Sequence, residues 1–117
     1  MTRIAITVAA AASLALAAAA HASTTPLKGQ VGPGFTIEVK QGSKDVKSLK
    51  AGTYTLTVED KSSIHNFHLI GPGLNKMVTS VPFTGKKTVT VTLKKGTYSY
   101  QCDPHAAAGM KGTFKVT

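Results

Sequence analysis

Five short segments of this chain alternate apolar and polar residues with a period of two: Phe35–Val39, Tyr54–Val58, Val89–Leu93, Tyr98–Cys102 and Thr113–Val116. In an extended strand, successive side chains point to opposite faces, so each segment offers one apolar face to a core. Threonine, valine and tyrosine fill the segments, the residues that a pleated surface favours. Downstream of residue 22 no stretch sustains helical periodicity for three turns. Val46–Ala51 is long enough for one short turn, and the three alanines after His105 are too brief for a helix alone. Short strands at near-regular spacing, punctuated by glycine and proline, predict an all-β domain with two sheets packed as a Greek-key sandwich. The segment STTPLKGQVGPG reads as a polar, glycine-containing lead into the first strand.

Residues 1–22 stand apart from that pattern. MTR is a short basic start, Ile4–Ala20 is an apolar run of 17 residues rich in alanine, and Ala20-His21-Ala22 has the small-x-small form of a cleavage site. The expectation is a secretory signal peptide over 1–22 and a single domain over 23–117, periplasmic or secreted and without stable membrane insertion. At 95 residues (117 less 22), the remainder suits one modest core. Its 13 lysines (14 basic residues less Arg3) face 5 acids, a formal charge of +8 with histidines neutral. Such a surface speeds encounter with acidic partners. Nucleic acid is excluded as a partner: the lysines are scattered, no arginine remains for bidentate contacts, and export removes the chain from the genome.

An exported chain that keeps one cysteine cannot close a disulfide with it. Cys102 is therefore a buried thiol, a reactive thiol or a metal ligand. It ends the strand Tyr98–Cys102 with its side chain on the face of Tyr98 and Tyr100, and Pro104 then turns the chain so that His105 lies on a loop. Gly109 permits a second turn, and Met110 re-enters a strand. The two turns of the repeated LKxGTY motif, Leu49–Tyr54 and Leu93–Tyr98, place His65 and Cys102 together if they share one end of the sandwich. Two imidazoles, a thiolate and a thioether make the donor set of a blue copper centre, since soft sulfur suits Cu(I) and imidazole suits both oxidation states. Structural zinc sites close with four strong ligands and have no use for methionine. His68, three residues beyond His65 and on the opposite face of a regular strand, is the rival upstream ligand, and Met77 the rival thioether.

GTYSYQCDPHAAAGM resembles the ligand loop of plastocyanin, and IHNFHL resembles the first-histidine segment of plastocyanin, pseudoazurin and amicyanin. The resemblance to these cupredoxins runs over roughly Phe35–Thr117. It implies one type 1 copper cycling between Cu(I) and Cu(II), an eight-stranded Greek-key sandwich, and single-electron shuttling between larger redox proteins. By position, His65, Cys102 and His105 are implied equatorial ligands and Met110 the axial one, with Asn66 tying the two ligand loops together. Gln101 stands where plastocyanins carry a docking tyrosine, and lysines replace their acidic patch. The implied partners are therefore exported redox proteins with acidic docking surfaces, met by a monomer.

The competing expectations are a periplasmic copper carrier or buffer without redox turnover, an enzyme with a Cys-His nucleophile, and a copper-free adhesion domain. Only two methionines survive cleavage, which disfavours a Cu(I) carrier. No third group or oxyanion pocket is suggested beside the Cys-x2-His pair, which disfavours the enzyme.

Overall fold

The computed structural model describes residues 24–117. The signal peptide expected over 1–22 lies outside the described residues. Ten strands form two sheets of five. The first sheet joins β1 (Thr25–Val31), β2 (Ile37–Gln41), β3 (Lys44–Asp45), β5 (Gly52–Asp60) and β8 (Gly85–Leu93) in the order β3-β2-β1-β5-β8. The second joins β4 (Ser48–Leu49), β6 (Phe67–Gly71), β7 (Leu74–Thr79), β9 (Gly96–Gln101) and β10 (Lys111–Val116) in the order β4-β10-β9-β6-β7. The chain changes sheets between β3 and β4, between β4 and β5, between β5 and β6, between β7 and β8, and between β8 and β9. The expected two-sheet Greek-key sandwich is the fold found.

Alternation builds the core. In β5, Tyr54, Leu56 and Val58 point inward between half-exposed threonines, and β8 adds Val91 and Leu93. From the second sheet, Phe67, Leu69, Tyr98, Tyr100, Phe114 and Val116 close the other side. Tyr98 and Phe114 are directly opposed across β9 and β10, and their rings stack 5.5 Å apart. Phe67 stacks on Tyr100 at 5.8 Å. Such aromatic pairs contribute beyond the area they bury.

The LKxGTY echo has one structural basis at both places. Each tyrosine hydroxyl returns to the backbone of the lysine four residues earlier: Tyr54 Oη donates to Lys50 O (2.5 Å), and Tyr98 Oη accepts from Lys94 N (2.9 Å) while donating to Pro72 O (2.8 Å). Gly52 pairs with Leu93, so both turns do lie at one end of the sandwich. The ends of β5 and β9 therefore reach the opposite end, where β6 begins beside Gln101.

Four local expectations are corrected. The polar lead is the strand β1, which runs parallel to β5 from Thr25 beside Tyr54 to Val31 beside Asp60. Its inward positions are Leu27, Gly29 and Val31, and a Cβ on Gly29 would stand 3.0 Å from Val58 and 3.1 Å from the Phe67 ring, so the glycine that hides the pattern is required by packing. The next strand starts at Ile37, two residues late, and leaves Phe35 66% exposed. Val46–Ala51 makes no helical turn; it holds β4, which pairs with β10. His65 and Asn66 precede β6 in a loop and are not on a strand.

Candidate metal centre

Three connections supply the site. After β9, Cys102 introduces a 3₁₀ helix, Asp103–Ala108, with Pro104 in its first turn, where a missing N–H costs nothing. This short helix stands where a loop was expected. Gly109 ends it at φ +96°, a left-handed conformation that glycine adopts freely. His105 N–H donates to Cys102 O (3.1 Å), Met110 N–H to His105 O (3.2 Å) and Cys102 N–H to Met110 O (3.1 Å). The three candidate ligands of this segment are thus laced together by their own backbones.

His65 arrives from the β5–β6 connection. Its Nδ1 lies 2.9 Å from Nδ1 of His105, and Cys102 Sγ lies 3.6 Å from the first and 3.4 Å from the second. All three donor atoms fall within 4.8 Å of one another. Cys102 and His65 are fully buried and His105 is half-buried, so the cluster is closed on the core side and open at one imidazole. Met110 is buried beside them in sequence and tied to Cys102 through the backbone.

Asn66 locks the two ligand segments. Its Nδ2 donates to Asp103 Oδ2 (2.9 Å), and Asp103 N–H donates to Asn66 Oδ1 (2.7 Å). Thr79 Oγ1 accepts from Phe67 N–H (2.9 Å) and fixes the following residue. Outer partners of this kind orient ligands and hold them in place.

His68 is directed away from the cluster. Its Nδ1 lies 2.9 Å from Asp103 Oδ1 and its Nε2 2.5 Å from Asn75 Oδ1, two oxygen acceptors that the imidazolium form, with its two N–H donors, satisfies together. Burial works against the charged ring, but the hydrogen bonds to Asn75 and Asp103 and the Asp103 charge outweigh it, and its pKa lies above the ordinary imidazole value. For Asp103, burial opposes the charge, yet donors from Gln101, His68 and Asn66 together with the His68 charge hold the carboxyl below its ordinary value. The β6–β7 ladder does shift register between Phe67 and His68, without turning His68 toward Cys102.

Three residues of the site were not legible as such. Asp103 gathers Asn66, His68 and Gln101; its signal is an acid beside proline at a helix start. Gln101 donates to Asp103 Oδ1 at 2.8 Å, which gives the residue standing in the tyrosine position a task of its own. Phe35 leaves the β1–β2 connection and sets its ring edge-on to both imidazoles, 5.2 Å from His65 and 4.9 Å from His105 between centroids.

The donor set discriminates among metals. Two imidazoles and a thiolate, buried against a hydrophobic core, suit copper, and no carboxylate enters the cluster as a hard cation would require.

Comparison with known proteins agrees. A family model for copper binding proteins of the plastocyanin/azurin family matches residues 33–117. A plastocyanin of Daucus carota is 63% identical over 30 residues, 26% of this chain, and the match spans 30% of that relative's length. Rusticyanin from Thiobacillus ferrooxidans superposes with a TM-score of 0.53 at 26% identity, over 83% of this chain and 79% of that one. Auracyanin from Roseiflexus castenholzii superposes with a TM-score of 0.56 at 21% identity, over 82% and 99%, a likeness of fold.

Proposed function

The chain belongs to the plastocyanin/azurin family of copper-binding proteins, and from that premise we propose that it is a type 1 copper electron shuttle. His65, Cys102 and His105 would hold the copper, with the Met110 thioether as the candidate fourth donor. The observation that carries this reading is the convergence of two Nδ1 atoms and one Sγ within 4.8 Å, two of the three residues fully buried. Copper bound there supplies a one-electron Cu(II)/Cu(I) couple.

The rest of the work belongs to the protein. The backbone bonds among Cys102, His105 and Met110, and the Asn66–Asp103 pair, fix the donors independently of the metal, which keeps rearrangement between oxidation states small. His105 is the electron portal, because it alone of the three reaches the surface. Around it Phe35, Ile64, Pro104, Ala107 and Ala108 are exposed and uncharged, a face that lets a redox partner approach closely. The net positive charge favours an acidic partner. The protein is a carrier and not an enzyme, works as a monomer, and acts in a periplasm or outside the cell once residues 1–22 are removed. No described helix is long and apolar enough to cross a membrane.

The visible spectrum after adding Cu(II) tests the reading. An intense blue thiolate-to-copper band is expected, lost in Cys102→Ser and His65→Ala and kept in His68→Ala; a colourless protein overturns the proposal. Reversible one-electron voltammetry of the blue form separates a shuttle from a copper buffer without redox turnover.

A further inference from the structure

The lysines are distributed unequally along the sandwich. One end carries the copper-binding cluster together with Lys61, Lys86, Lys87 and Lys111, and here the acids Glu59, Asp60 and Asp103 nearly balance them. Glu59 is shared by Lys28 and Lys61. The other end gathers the β2–β3 hairpin, the β4–β5 turn, the β8–β9 turn and the end of β10. Pairing of Gly52 with Leu93, Gly96 with Val116 and Leu49 with Val116 brings these segments side by side. Lys44, Lys50, Lys94, Lys95 and Lys115 all stand exposed there, against Asp45 alone, and Asp45 faces Lys40. None of the five takes part in an ion pair among the described residues.

We propose that this lysine pole is a docking surface for anionic phospholipid, so that the domain rests on a bilayer with its copper end turned outward. Two observations favour a lipid surface. A protein interface needs buried aromatic or arginine anchors, and the large exposed hydrophobics, Phe35, Ile64 and Met77, lie elsewhere. Between its lysines the pole offers small polar residues such as Ser43, Ser48, Thr53 and Thr117, which suits adsorption by charge alone.

The geometry separates two tasks that the net charge alone would merge. Lys86, Lys87 and Lys111 at the copper end remain for an acidic redox partner near His105, while the lysine pole at the far end meets the bilayer. A bilayer at that end leaves the uncharged face around His105 free.

The test is co-sedimentation of the copper-loaded domain Ser23–Thr117, which contains both sheets and the core, with vesicles. One set is phosphatidylcholine alone and the other contains phosphatidylglycerol. Two variants are compared: Lys44→Gln/Lys50→Gln/Lys94→Gln/Lys95→Gln at the lysine pole, and Lys61→Gln/Lys86→Gln/Lys111→Gln at the copper end. Binding to phosphatidylglycerol vesicles only, weakened by salt, is expected. A lysine at an anionic surface is worth about fivefold in affinity, so the first variant should lose a hundredfold or more. The second should change little, and both should keep the blue band. Equal loss in both variants, no binding to either vesicle, or retention on polyglutamate with no vesicle binding overturns the proposal; the last outcome assigns the pole to an acidic polypeptide. Because the blue band is read separately, failure here leaves the electron-shuttle reading standing.

Discussion

Asn66 and Asp103 face each other across the two ligand segments and exchange two hydrogen bonds, one from the Asn66 carboxamide and one from the Asp103 backbone N–H. Asn66 is fully buried, so its removal leaves a buried donor and acceptor without partners. Asn66→Ala is expected to cost about 2 kcal/mol in urea unfolding of the apoprotein. The same variant should broaden and shift the visible band, because His65 loses its neighbour's anchor. Asn66→Asp should be worse, since a second carboxylate then faces Asp103.

Phe35 acts differently because it is exposed. Truncation to alanine removes two edge-to-face contacts to the imidazoles but little buried area, so Phe35→Ala should change unfolding free energy by less than about 1 kcal/mol. Opening the edge of His105 to water should speed copper loss to a bathocuproine chelator several-fold. Unchanged chelation kinetics would show that the ring does not cover the site.

How far the sequence revealed this molecule depends on which force set each part. Alternation in Tyr54–Val58 or Tyr98–Cys102 is written by burial, and those strands are found, the first longer at both ends, the second starting at Gly96 and stopping at Gln101, one residue short of Cys102. In β1 the same rule operates, but packing against Val58 and Phe67 demands glycine at the middle inward position, and a polar lead is what remains to be read. Phe35 mimics the first inward residue of a strand, while its partners are two histidines brought by other segments. The ligand cluster was legible because Cys102, His105 and Met110 share one short connection. The Asp103 network was not, since it depends on His68 and Asn66 meeting Asp103 across 35 and 37 residues.

The charged state of His68 gives the copper-loaded protein a pH signature. The folded pKa lies above the unfolded value of 6.5, so the stabilisation is fully present below pH 6.5 and is lost as pH rises through the folded value. Urea midpoints measured across that range should fall with rising pH in the wild type. In His68→Gln this component of the slope should vanish while the blue band persists. The groups facing the ring are Asp103 and Asn75, with Gln101 opposite it on β9. An Asp103→Asn variant should bring the His68 ring, followed by NMR, back toward 6.5.

Gly71 closes β6 directly against the ring of Tyr98, close enough that a Cβ there would overlap the ring carbons. The ring has no room to yield. Tyr98 is fully buried, stacked on Phe114, and pinned at its hydroxyl by Pro72 O and Lys94 N–H. Gly71→Ala should therefore cost about 3 kcal/mol, the upper range for forcing one carbon into a packed core. Combining it with Tyr98→Leu tests the cause. If the clash with the ring is responsible, the double variant is more stable than the sum of the two losses predicts, because the second change removes what the first collides with. Strict additivity would place the cost in the β6 backbone, away from Tyr98.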